Sequence, residues 1–380
     1  MNRPGHTLRS RIKQLARDED GATIALIALS MATLVGLAAL AVDVGMLMSA
    51  RTEAQRTADS AAMAGAGILI TQPGNSTLAE QTAINFAGQN NVNGQAAVVQ
   101  SQDVDVDLPN GLVRVRVHRS TARGNPVGTF FARALGINSV DVGAVAAAQI
   151  FPAGSGNCLL PVALPDRWVN FGGPQFDVTE GDYYAPPGDP SYTGYTDADI
   201  GTQIVLKPAQ GQSGGNGGNS GAPGSFEPGW WYLWTPPGPG GSQVRPLVTG
   251  CPDPGTLTSV GDWITDQSGN MQVIEMDFED LIAQDPYASY DPVCNCVTGG
   301  MGMGSPRIRG VPVFEPPSYS SGGSGANFQV ASFAGVFIEG VSAGPPGKRN
   351  VLARIMGFSA TDPTGGGGGG GLANTVRLVE

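Results

Sequence analysis

The sequence predicts an α+β protein with an N-terminal transmembrane helix that continues into an extracytoplasmic helix. A small α+β domain follows, and then a β-rich, loop-rich, disulfide-stapled C-terminal region. Three observations predict this order. The run Ala22–Val42 is uncharged, Asn110-Gly111 separates two alternating apolar runs, and the 57 Gly and 29 Pro of the 380 residues crowd the part after Phe151 together with all 4 cysteines. The boundaries implied are a tail 1–20, a membrane helix 21–48, a helix extension with a small domain 49–150, and a Gly/Pro-rich region 151–380.

The membrane helix is argued from length. An uncharged run of about 21 residues rising ~1.5 Å each matches the roughly 30 Å of a bilayer core. Arg3, Arg9, Arg11, Lys13 and Arg17 precede it. The positive-inside bias therefore predicts an N-terminus in the cytoplasm and the bulk of the chain across the membrane. The competing reading is a cleaved signal peptide, for which Ala39-Leu40-Ala41 supplies an A-x-A site. Against it stand the length of the apolar run and the helical pattern beyond the cut. Ala50, Ala54, Ala58, Ala61, Ala62 and Gly65 hold a small-residue face at helical spacing, so one helix is predicted to about Leu69. Such a face suits close packing against another helix. Asp43, at the outer end of the span, reads either as an interfacial carboxylate or as a group that pairs with a partner helix.

The net charge is −11 although the tail is basic, so the remainder is more acidic still. That balance repels phosphate backbones, and no nucleic-acid partner is expected.

The residues Asp20-Gly21-Ala22, Ala41-Val42-Asp43-Val44-Gly45, Arg51 and the run Ala58-Asp59-Ser60-Ala61-Ala62-Met63-Ala64-Gly65-Ala66 together resemble the N-terminal segment of TadG-like proteins. These belong to the bacterial tight-adherence (Flp) pilus system. The resemblance implies an inner-membrane-anchored component of a pilus or secretion apparatus, with a periplasmic or extracellular bulk. It implies other pilus-assembly membrane proteins and the lipid bilayer as partners, and it is compatible with oligomerisation. Processed pilins carry a Glu five residues after their cleavage-site Gly. Leu26 stands at that distance from Gly21, which argues against such processing.

In the first exported domain a helix is predicted over Leu78–Gly88, with strands over Val104–Leu108 and Leu112–His118 joined through Pro109-Asn110-Gly111. Val113, Val115 and Val117 alternate with Arg114, Arg116 and His118, giving one buried and one solvated face. A short helix is expected over Val127–Leu135, ended by Gly136 as a left-handed cap, and then a strand over Val140–Ile150. Thr129-Phe130-Phe131-Ala132-Arg133 with Leu135-Gly136-Ile137 is similar to the extracytoplasmic part of TadE/TadG-like proteins. Arg114, Arg116, Arg119 and Arg123 read as a solvated strand face, with docking of an acidic partner as the second reading.

Beyond Gly156, short strands and long loops are expected, with Trp168, Trp230, Trp231, Trp234 and Trp263 as core anchors. A carbohydrate platform built on Trp230-Trp231-Tyr232-Leu233-Trp234 is the weaker reading, because strand spacing divides those rings between two faces. Cys158, Cys251, Cys294 and Cys296 face an oxidising compartment, and disulfides are expected. Strain in a Cys294–Cys296 bridge favours joining each of these to Cys158 or Cys251. Zinc is disfavoured by the lack of nearby histidines.

No catalytic residue, metal or cofactor is expected. Asp266-Gln267-Ser268-Gly269-Asn270 approaches the metal motif of von Willebrand A-type domains, but Asn270 replaces a serine, and the run reads as a turn. Only His6 and His118 are available as histidine bases, and Glu275, Asp277, Glu279 and Asp280 read as a solvated helix start. The predicted role is anchoring and protein–protein contact. A membrane-tethered adhesin and a periplasmic hydrolase acting through paired carboxylates are the alternatives.

Overall fold

A computed structural model of the protein describes residues 19–171, 176–207, 232–233, 244–251, 257–265, 274–319, 327–346, 348–360 and 371–379. The basic tail with His6, the tryptophans 230, 231 and 234, the glycine runs 211–224 and 365–370, and the motif 266–271 lie outside them. The chain divides into two compact units. One comprises 1–60, 84–103 and 116–145, and the other 61–83, 104–115 and 146–380.

Helix α1 (Glu19–Thr71) is unbroken for 53 residues. Its Ala, Leu and Met content favours helix, and it contains no proline. The two hydroxyls in the middle of the apolar stretch are satisfied within the helix, Ser30 donating to the Ile27 carbonyl and Thr33 to that of Leu29. Residues from Thr23 to Ala38 are all exposed, whereas Asp43, Ala50, Ala54 and Ala58 are buried. A single helix thus changes environment at Asp43. The predicted end near Leu69 is met within two residues.

Helix α2 (Ser76–Gly88) begins at Asn75, whose side chain accepts the Leu78 N–H at 3.1 Å and so satisfies an otherwise unpaired first-turn donor. Ala79 and Ala83 share one fully buried face of α2. They lie against Gly65 of α1, where an added Cβ would stand 3.1 Å from the Ala79 carbonyl and 3.2 Å from the Ala83 Cβ. The small-residue face that suggests a partner helix is therefore buried within its own chain.

Strands β1 (Val104–Asp107) and β2 (Leu112–Arg119) form the expected antiparallel hairpin, with Asp107 opposite Leu112. β2 alternates as predicted, with Val113, Val115 and Val117 inside. β3 (Val142–Pro152) follows in the same five-stranded sheet, together with the last strand of the chain, Ala373–Leu378.

The larger sheet of the C-terminal region is seven-stranded. It contains β4 (Val162–Pro165), β5 (Gln203–Lys207), β6 (Trp263–Thr265), β7 (Ile308–Phe314), β8 (Asn327–Val341) and β9 (Val351–Met356), with Tyr232–Leu233 at one edge. β7, β8 and β9 are antiparallel neighbours. β8 is buried along nearly all its length, which suits the unbroken run Val330–Ile338 with no charged residue. Helix α3 (Val244–Thr249) and helix α4 (Ile274–Ala283) contribute Val244, Val248, Phe278 and Leu281 to the same core as Val336, Ile338 and Ile355.

Three expectations are corrected here. The disulfides join Cys158 to Cys251 and Cys294 to Cys296. Asn295 takes a left-handed conformation at φ 50°, which turns the chain tightly enough to bring the Cys294 and Cys296 Cα atoms to 5.1 Å, an ordinary disulfide separation. Of the described tryptophans, Trp263 is 61% exposed and does not anchor the core, and Trp168 is half-buried edge-on against Phe176, while phenylalanines 278, 314, 328, 333 and 337 fill the interior. The acidic start of α4 is solvated at Glu279 and Asp280 as expected, but not at Glu275 and Asp277, which are buried. Glu275 is buried and pairs with Lys207 and Arg349, while Arg245 bridges Asp277 and Asp280.

Candidate functional site at the end of the apolar helix

Asp43 occupies the position where α1 passes from exposed to buried, and it is 2% exposed. Its carboxylate accepts three main-chain N–H groups, from Phe130 at 2.9 Å, Phe131 at 2.9 Å and Ala132 at 2.6 Å. Those donors stand at the start of a 3-10 turn, Ala132–Leu135, whose first N–H groups have no partner within the turn. Asp43 thus acts as an N-cap supplied from another element, with an attractive Coulombic contact to Arg133. The carboxylate of Asp43 is thus satisfied within its own chain.

The loop that receives Asp43 is closed locally. Val127–Gly128 pairs antiparallel with Ser139–Val140, and the Thr129 N–H donates to the Asn138 carbonyl. Gly136, left-handed at φ 86°, donates its N–H to the Ala132 and Arg133 carbonyls and ends the turn as predicted. The expected helix over Val127–Leu135 is reduced to its last turn. The residue 127–129 backbone is committed to strand-like pairing, and the next three N–H groups are committed to Asp43. Phe130, Phe131, Leu135 and Ile137 are left 73%, 51%, 76% and 49% exposed.

The arginines divide into distinct roles. Arg119 is buried, and its guanidinium donates to the carbonyls of Val92 at 2.7 Å and Asn125 at 2.9 Å and to the Gln95 side chain at 2.9 Å. It ties the turn around residues 92–95 to the loop at Asn125 and is not part of a solvated face. Arg123 forks onto Asp103 with both contacts at 2.7 Å, and His118 lies 3.6 Å from the same carboxylate. Burial pushes the Asp103 carboxyl up, but the Arg123 fork, the Gln100 N–H and the His118 charge reverse this and hold it below the usual aspartate value. Arg114 lies 3.8 Å from Asp105. Arg116 remains exposed and, with Arg51, Gln55 and His118, lines an open cavity of about 320 Å³. Among the described residues, no group of three or more His, Cys, Asp or Glu side chains is placed to hold a metal.

Sequence reasoning singled out Asp43 but missed its partners, which lie 87 to 89 positions away. It also missed Asp166, which is buried at the end of β4 and accepts N–H groups of Arg167 and Tyr195 and the hydroxyls of Tyr184 and Tyr192. Burial pushes its pKa up to about 6, an effect these neutral donors only partly offset. No local pattern marks it, because its tyrosines are dispersed over a Gly/Pro-rich loop.

Among the described residues, one helix is long and apolar enough to cross a membrane. No curated protein and no solved structure matches the chain. The family model described as putative Flp pilus-assembly TadE/G-like matches residues 21–67, so the resemblance read from the sequence holds over the apolar part of α1, Asp43 and the small-residue face that follows it.

Proposed function

We propose that this protein is a membrane-anchored structural or assembly component of a Flp/Tad-type pilus or secretion apparatus, working by protein–protein contact without turnover. The observation that carries the reading is a coincidence: the match to the pilus-assembly family, residues 21–67, takes in the stretch of α1 from Ile24 to Met48 in which most large apolar side chains are exposed. A helix apolar on all sides and unpacked over that length is suited to lipid or to other membrane helices. In this reading the tail 1–20 is cytoplasmic and the rest is periplasmic or extracellular. Partners meet the chain through the exposed surfaces, because Ala58, Ala61 and Ala62 are already covered by its own fold.

The test is made in cells. Deleting the chain is expected to abolish pilus assembly, and restoring it with a photo-crosslinking residue at Leu29 or Leu37 is expected to trap another membrane-anchored pilus component. A reporter fused after Glu380 should be active only outside the cytoplasm. Normal pili without the chain would refute the assembly role. Loss of function on His118→Ala with folding intact would favour an enzyme.

A further inference from the structure

The geometry points to a second membrane contact: the loop Thr129–Ile137 inserts Phe130, Phe131 and Leu135 into the interfacial layer of the bilayer that α1 crosses. The inference rests on the membrane-anchor reading above and adds to it a surface far from α1 in sequence.

The first ground is position. Three hydrogen bonds of 2.6–2.9 Å fix the loop's main chain to Asp43, the residue directly after the apolar run. Apolar helix surface also continues to that level and past it, since Val42, Val44 and Met48 are 57%, 44% and 67% exposed. The loop therefore sits where the apolar surface of α1 meets water. The second ground is exposure. Two phenylalanines and a leucine between half and about three-quarters exposed on one short loop form an unfavourable aqueous surface, and phenylalanine and leucine side chains of interfacial segments bury at the headgroup and acyl boundary of membranes. The third ground is charge. From Pro126 to Val140 the sequence has no acidic residue and one basic residue, the exposed Arg133, in a chain whose net charge is −11. That segment meets anionic headgroups without repulsion, and Arg133 can reach a phosphate while the rings lie deeper.

The clamp supplies a physical reason for the unusual loop. A free loop carrying Phe130 and Phe131 would turn its rings inward. Three N–H groups held by Asp43 fix the backbone so that the rings face outward, and the entropy of ordering the loop is lost on folding and not on meeting the membrane.

The test uses the full chain reconstituted in vesicles of phosphatidylcholine and phosphatidylglycerol. An environment-sensitive fluorophore is placed on Leu135→Cys, on Leu34→Cys as a report on the span, and on Ser101→Cys as an exposed control, with the native disulfides kept oxidised. A nitroxide near the top of the lipid acyl chain should quench the Leu135 label several-fold more than the Ser101 label, and aqueous iodide should quench it less. A Leu34 label quenched by a nitroxide deep in the acyl chain, together with a Leu135 label indistinguishable from the Ser101 label, would overturn the loop contact and leave the anchor standing. A Leu34 label open to iodide would refute the anchor reading itself. Shielding of the Leu135 label only when another membrane component is added would assign the patch to a protein partner and overturn the proposal.

Discussion

Asp103 and Asp166 lie in different compact units and both have little exposed surface, 3% and 0%, but Asp166 is the more deeply enclosed and their acidities move in opposite directions. Asp103 meets the charged fork of Arg123 and the His118 ring, whereas the hydrogen-bond donors to Asp166 are neutral, two tyrosine hydroxyls and two main-chain N–H groups. Burial pushes both carboxyls up. A facing cation reverses the push at Asp103, and without one Asp166 is left at about 6. The depth of burial sets the demand on a carboxylate, the charge of its partners sets how much of it is met, and at these two sites both act in the same direction.

Glu275 takes the first arrangement to its limit, being fully buried between Lys207 and Arg349. Glu275→Ala strands the 8%-exposed Lys207 without its carboxylate, and breaking a buried pair from one side costs about 3–5 kcal/mol. Denaturant unfolding of the detergent-solubilised chain, followed by aromatic signals of the C-terminal region, should show a loss of that order. A loss below ~1 kcal/mol would mean that water replaces the carboxylate and that cationic partners matter less than the comparison holds.

The Asp103 and Asp166 pair predicts pH responses of opposite sign. A folded-state pKa above the unfolded value stabilises the fold fully below the ordinary carboxylate range, and the contribution is lost as pH rises through the folded value. Between pH 3.8 and about 6, Asp166 should therefore cost the C-terminal region stability as pH rises. At 1.36 kcal/mol per pH unit the total is up to about 3 kcal/mol. Asp103, held low, contributes stability above the ordinary range that is lost as pH falls. Asp166→Asn should flatten the upper limb while leaving the acid limb of the N-terminal unit in place. An unchanged upper limb would show that Asp166 is ionised in the folded protein at pH 5.

Local features of the fold were legible because their causes are local. Ala22–Val42 specifies a helix by composition, Asn110-Gly111 a hairpin by its turn, and Gly136 a cap by its left-handed backbone. The residues that went astray are those whose surroundings come from distant sequence. Phe130 and Phe131 read as helix because nothing near them reveals that Asp43 takes their N–H groups. Arg119 reads as solvated because it is charged, although strand alternation places it on the face of Val113, Val115 and Val117, and the carbonyls of Val92, Asn125 and Pro126 enclose its guanidinium. Cys294 and Cys296 read as too close to bridge because the left-handed Asn295 between them is not visible in a spacing rule. The small-residue face of α1 is buried, and its contact at Gly65 with the alanines of α2 had to come from the structure.

Asp43 extends the comparison to a carboxylate whose main partners are main-chain N–H groups, and it predicts an effect confined to one loop. Asp43→Asn keeps the size and shape of the side chain but replaces one acceptor oxygen with an NH2 group. Either Phe130 or the Phe131 and Ala132 pair then faces a donor with a donor, because the first uses Oδ1 and the others Oδ2. Hydrogen exchange in vesicles should show the amides of residues 130–132 accelerated on the order of tenfold or more, with the α4 amides unchanged. Leu135 should become accessible to iodide in the same variant, since the rings and leucine are held outward only while the backbone is fixed. Exchange at residues 130–132 that matches the native protein would mean that the local strand pairing and the Gly136 cap suffice to hold the loop, and Asp43 would then be a consequence of the loop's shape and not its cause.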